Sequence, residues 1–108
     1  MSSLGEFELL VLLAVLRLGE EAYAVSIVDE IRERTGRDIH RAAVYVTLQR
    51  LEAKGLLSSR LGTPLPERGG KARRQVRIER KGMAAVREAR AALQNMWAGL
   101  GGLLEDER

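Results

Sequence analysis

A mainly α-helical domain carrying one small β-hairpin is what this sequence predicts, and three observations predict it. Hydrophobic residues are 45% of the 108 but aromatic ones only 4%, so the core must be built from Leu, Val and Ala, with which helices pack on helices. Apolar positions recur at helical spacing through most of the chain, and only around a Pro- and Gly-containing segment does this give way to a short β-compatible stretch before it and an alternating one after it. A chain of this length buries one modest core, so a single domain is expected.

Ser3 followed by Glu6 has the spacing of a capping box, which places the first helix from about Leu4 to Leu18, with Gly19 ending it. Its stretch from Leu9 to Leu16 is apolar on every side, so it is expected to be buried on more than one face, in the core or partly against a second subunit. The segment AYAVSIVDEIRERTG puts Ala24, Ile27, Val28 and Ile31 on one face of a second helix and Asp29, Glu30, Arg32 and Glu33 outside. Arg34 in its last turn and Gly36 as a left-handed cap suit a C-terminus. A tight RDI connection leads to a third helix, from about Arg41 to Lys54, with Val44, Leu48 and Leu51 inward and Gly55 terminating it.

Beyond it, LLSSRLG is β-compatible, and ARRQVRIER alternates, with Val76 and Ile78 on one face. Two strands joined by GTPLPERGGK make a hairpin whose tip Pro64, Pro66, Gly69 and Gly70 keep irregular. The last helix starts near Arg80 and carries Val86, Leu93 and Leu100 seven residues apart, with Ala89, Met96 and Leu103 in a second seam and Trp97 and Leu104 broadening it. One terminal helix cannot bury such a stripe alone, so a homodimer is expected, with Val86, Ala89, Leu93, Met96, Trp97 and Leu100 at its interface. Gly99, Gly101 and Gly102 argue for fraying late in this element. The expected units are a head at 1–81, a dimerisation helix at 82–104 and a solvated tail at 105–108.

The net charge of +3 is unevenly spread: residues 41–81 hold 11 basic and 3 acidic side chains, residues 1–40 hold 4 and 8. One positive surface on an acidic body is the footprint of a nucleic-acid binder, although a solvated basic loop gives the same count. There is no cysteine, which excludes disulfides and thiolate metal sites. His40 is the only histidine, so neither a metal site nor a nucleophile and base pair is expected, and with them no cofactor and no enzyme. Glu6 and Glu8 read as a solvated helix start. The apolar run that follows them is far shorter than a bilayer span, and they stand where a signal peptide has basic residues, so no membrane segment and a cytoplasmic location are expected.

Three helices followed by a hairpin is the order of a winged helix-turn-helix, in which the third helix enters the major groove and the hairpin lies along the backbone of double-stranded DNA. The third helix suits this. A helical wheel points Ala42, Val46, Gln49 and Ala53 outward with Tyr45 and Arg50 on the flanks. Long charged side chains there would hold the helix away from base edges, whereas Ala and Val allow close approach and Gln can bond adenine. With the residues at the helix start, the reading candidates are His40, Arg41, Ala42, Tyr45, Val46, Gln49 and Arg50. The plainer account is that the small residues favour helix or pack on a neighbour. Between Arg68 and Lys81 there are 7 basic residues against the single acid Glu79, and Arg68, Lys71, Arg73 and Arg74 are expected to matter most for phosphates.

The third helix also resembles that of the PadR family of bacterial transcriptional regulators, on Tyr45, Leu48, Arg50, Leu51, Glu52, Gly55 and Leu56. ERGGKARR is similar to the family's wing tip, Gly82 to its post-wing glycine and AYAVSIVDEI to its second helix, so the likeness runs over roughly residues 4–98. It implies a homodimer on a pseudo-palindromic operator, usually a repressor, joined through its final helix. The chain departs from the pattern where a tyrosine pair is replaced by Gln75 and Val76, a Thr and Pro by Glu79 and Arg80, and a Ser by His40, with Asp38 a substitute cap. These departures bear on how the wing packs and how two helices start. Trp97 reads as the largest contact in a dimer core, ahead of one wall of a cavity for a small flat apolar ligand. Beside the DNA-binding regulator stands a second class, a winged-helix module docking an acidic protein through the same helix face and hairpin.

Overall fold

The computed structural model describes residues 4–62 and 73–105, so Ser3, Arg68 and Lys71 lie outside the described residues. Helix α1 (Glu6–Leu18) is followed by a 3-10 turn at Gly19–Glu21, α2 (Ala24–Thr35), α3 (Arg41–Ala53), strands β1 (Leu57–Leu61) and β2 (Arg74–Ile78), α4 (Arg80–Trp97) and a short α5 (Gly101–Glu105). The strands pair antiparallel, Leu57 opposite Ile78 and Leu61 opposite Arg74. The mainly helical class with one hairpin is therefore the observed one.

The core forms where the apolar stripes of the first three helices meet the base of the hairpin. Val11, Leu12 and Val15 of α1, Ile27, Val28 and Ile31 of α2 and Val44 and Leu51 of α3 are buried with Leu56, Leu57 and Val76. Each such side chain removed from water contributes about 1.5–3 kcal/mol, and this single cluster holds the helices at fixed angles. On α3 the buried third position is Thr47, while Leu48 is half-buried at the margin. Val44, Thr47 and Leu51 fit the helical repeat as well as Val44, Leu48 and Leu51 do, and it is the seating of α3 against α1 and α2 that turns Thr47 inward.

Gly55 does what the sequence asks of it. Its φ of 80° is left-handed; the Leu56 N–H reaches the Leu51 carbonyl at 3.0 Å and the Gly55 N–H the Glu52 carbonyl at 2.9 Å. This pair of bonds closes α3 and feeds the chain directly into β1.

Three expectations are corrected. Helix α1 has Gly5 as its N-cap, whose N–H donates to the Glu8 carboxylate at 3.0 Å, so the contact at its start falls on Gly5 and Glu8. Glu8 is not solvated but only 7% exposed. Nor is the last helix one piece through 104: it closes at Trp97, and Gly99, with φ 84°, turns the chain before α5, which takes Leu100 off the ladder of Val86 and Leu93. Val86, assigned from the sequence to a dimer interface, packs at the margin of its own chain's core and also lines a groove with Leu93 and Trp97, because the first two turns of α4 lie on the body. Gly82 makes that approach possible: a Cβ there would overlap the Leu56 carbonyl oxygen and stand 2.7 Å from Ile78 Cγ1.

Candidate nucleic-acid interface

With Val44, Thr47 and Leu51 facing the core, Ala42, Tyr45, Val46, Gln49, Arg50 and Ala53 all face outward, as the wheel requires. Tyr45 is 49% and Val46 51% exposed, so large apolar surface is left in water on a helix that has a core to bury it in. Arg41 is exposed at the start of the helix, and His40, its N-cap in extended backbone, forms no side-chain cap bond.

Both ends of α3 are instead held by residues outside its outer face. At the start, the Arg32 guanidinium of α2 donates to the Ile39 carbonyl from Nη2 at 2.6 Å and from Nε at 3.2 Å. At the end, Lys54 Nζ meets Glu8 Oε2 at 2.9 Å. Burial pulls the Glu8 carboxyl upward, but the Gly5 amide, the Lys54 bond and charge and the nearby Arg50 charge outweigh it and hold the group below its ordinary range. Arg32 reads in the sequence as one more outward charge on α2, because no local spacing shows a side chain reaching the carbonyl of a following turn.

The wing is tied to the body through the two positions that depart from the family pattern. Gln75 Nε2 donates to the Glu20 carbonyl at 2.7 Å, and the N–H of buried Val76 to the Ala22 carbonyl at 2.9 Å. The two arginines that enter β2 then separate. Arg74 Nη1 donates to Ser59 Oγ at 3.2 Å, and Ser59 Oγ in turn to the Glu52 carboxylate of α3 at 3.1 Å, so Arg74 stands beside α3. Arg73 lies 3.9 Å over the ring of Tyr23, at the start of α2. Arg60, opposite Gln75 on β1, is a further exposed cation that the sequence reading passed over. Where α4 should find its N-cap, Glu79 makes no cap bond; its carboxylate accepts the Ser58 hydroxyl instead.

On the far side of the molecule, Leu9, Leu13 and Leu16 of α1 and Leu93 and Trp97 of α4 line a groove of about 570 Å³ that Arg87 and Arg90 border. Ala89 is half-buried beside it, whereas Met96 and Trp97 are 75% and 62% exposed. Among the described residues no group of His, Cys, Asp and Glu is placed to hold a metal ion, and no helix is long and apolar enough to cross a membrane.

Comparison with known proteins places the fold. A model of the transcriptional regulator PadR-like family matches residues 12–88. A PadR family transcriptional regulator from Eggerthella lenta is 31% identical over 91% of this chain and 83% of its own, with a TM-score of 0.68. A PadR family transcription regulator from Clostridium difficile shares the fold at 20% identity, a TM-score of 0.72 and coverage of 93% and 99%. Bordetella bronchiseptica BpsR, whose DNA binding is regulated by 6-hydroxynicotinic acid, shares it at 24% identity and a TM-score of 0.62, over 93% of this chain and 65% of BpsR. No curated protein matches the chain.

Proposed function

Because this chain belongs to the PadR-like family of transcriptional regulators, which are DNA-binding regulators, we propose that it acts in the cytoplasm as a homodimeric repressor on a pseudo-palindromic operator. The observation that carries this reading is the outer face of α3: Ala42, Tyr45, Val46 and Gln49 exposed, with Arg41 and Arg50 beside them. In the major groove Gln49 bonds a base edge, Ala42 and Val46 lie against thymine methyls, and Tyr45, Arg41, Arg50 and His40 reach bases or bordering phosphates. Arg74, with Arg68 and Lys71 of the hairpin, supplies phosphate contacts that set affinity and register.

Residues 1–81 form the reading head, and α4 joins two heads. Leu93, Met96 and Trp97 of α4 continue the exposed Leu13 and Leu16 of α1 into one apolar surface, and a second copy removes that surface from water. A two-fold pair of heads then reads two half-sites. The groove beside Trp97 also has room for a small flat apolar ligand, a site from which binding is regulated; regulation of BpsR by 6-hydroxynicotinic acid gives that role a precedent in the same fold.

Selecting bound duplexes from a random pool tests the reading. The expected result is an inverted repeat with half-sites one helical turn apart, about 10 base pairs, or a multiple of it. Recovery of no preferred sequence, with the protein binding all duplexes alike, contradicts it. Leu93→Lys combined with Trp97→Lys is expected to give monomers in sedimentation and to lose the two-site complex; a surviving dimer places the interface elsewhere.

A further inference from the structure

We propose that Arg32 is a positioning residue for DNA reading, acting through the Ile39 carbonyl to fix the approach of α3 without touching DNA itself. The inference rests on the reading of α3 as the recognition helix. Four observations carry it. The two bonds from one guanidinium to one carbonyl, at 2.6 and 3.2 Å, fix the plane of Arg32 as well as its reach. The carbonyl belongs to the residue immediately before the N-cap of α3, so it sits at the pivot of the helix entry. No side chain caps α3 at His40, so beside the apolar packing of Ile39 and Val44 the polar tie between the start of α3 and the body is the Arg32 guanidinium. The first intrahelical bonds of α3 begin one residue beyond this pivot: the N–H groups of Ala43 and Val44 share the His40 carbonyl at 3.1 and 3.4 Å.

The Lys54 to Glu8 contact holds the opposite end of α3 to α1. With Arg32 in place the helix is fixed at two points, and its outward side chains arrive at base edges already oriented. Without it Val44, Thr47 and Leu51 still hold the helix axis to the core, but the turn at Ile39 and His40 loses its tie to α2 and the first turn of α3 loosens. Ala42 and Tyr45 at that end of the helix then have to be ordered by binding, and the cost falls on sequence discrimination, because phosphate contacts tolerate a small shift and base contacts do not.

The test compares Arg32→Ala and Arg32→Lys in the full chain. Each is bound to the best duplex recovered from a random pool and to a mixed-sequence duplex of equal length, across a salt series. For Arg32→Ala the expected result is a loss of roughly three- to tenfold in affinity for the selected duplex, with mixed-sequence affinity and salt slope unchanged. Arg32→Lys, which keeps the charge and one donor, is expected to restore part of the ratio. Equal loss on both duplexes with a salt slope lower by about one makes Arg32 a phosphate contact and overturns the proposal. So does an unchanged ratio. Amide exchange of the free protein gives a reading independent of DNA: faster exchange at Ala43 and Val44 in Arg32→Ala, with distant core amides unchanged, is expected, and unchanged exchange there overturns the pivot. Should the pool yield no preferred duplex, the family of readings built on α3 fails while this exchange result still stands or falls by itself.

Discussion

Lys54 Nζ, in the turn that closes α3, lies 2.9 Å from Glu8 Oε2 in the first turn of α1. The two residues are 46 apart in sequence, and their contact ties the end of the reading helix to the helix that also lines the apolar groove. An acid buried to this degree costs stability unless it is paired, and here the Gly5 amide, Lys54 and the Arg50 charge compensate for burial.

Since the folded-state value of Glu8 is lowered, the stability it contributes is present above the ordinary glutamate range, about pH 4.3, and is lost as the pH falls through the folded value. Glu8→Gln is expected to flatten that part of the curve of unfolding free energy against pH. Lys54→Ala leaves the buried carboxylate with the Gly5 amide and a more distant arginine; it is expected to cost about 1–2 kcal/mol at neutral pH, a figure reduced for the partial exposure of Lys54, and to move the acid transition to higher pH. Urea titrations at several pH values check both, and an acid transition unmoved in either variant removes Glu8 from the account.

Gly82→Ala is expected to destabilise the domain by about 1–3 kcal/mol, because the added methyl meets the Leu56 carbonyl and Ile78 rather than water. The obstruction is backbone on one side, so α4 must shift bodily. A chemical-denaturation midpoint equal to that of the unsubstituted chain shows instead that α4 does not approach Leu56 and Ile78 as described.

Glu8 and Gly82 mark where the sequence was legible. Gly82 was legible only through its likeness to the post-wing glycine of the PadR family, whereas the turn at Gly55 and the outward face of α3 follow from local rules of helix period and left-handed caps. Glu8 was misread because a capping contact at Gly5 needs no side-chain signal at that position, and because its partner Lys54 comes from a distant turn. Thr47 was passed over for Leu48 because the two positions fit the helical phase equally well and residue type favoured the leucine. Val86 makes a related point: heptad spacing records that a face is apolar and is silent on how much of each position its own domain covers, and Val86 both joins the core and lines the groove.

Arg73 and Arg74 were equivalent in the sequence and are not in the structure. Arg74→Ala is expected to weaken binding to every duplex and reduce the salt slope by about one. Arg73→Ala and Tyr23→Leu are expected to behave alike, since each removes the same cation–π contact, worth about 0.5–1 kcal/mol at an exposed site. Salt-dependent binding of the three variants checks this; a slope lowered by Arg73→Ala but not by Tyr23→Leu makes Arg73 a phosphate contact in the complex.

The central claim is that the exposed face of α3 enters the groove, and Val46→Glu tests it most directly. Val46 is 51% exposed on the outward face of α3, where a glutamate side chain reaches water, so the fold is expected to survive with its denaturation midpoint unchanged. A carboxylate brought against base acceptors and phosphates should lower affinity for the selected duplex by roughly a hundredfold. Equilibrium binding of the variant to that duplex is the decisive measurement: a loss of this size on an intact fold is the result expected here, and wild-type affinity contradicts the account.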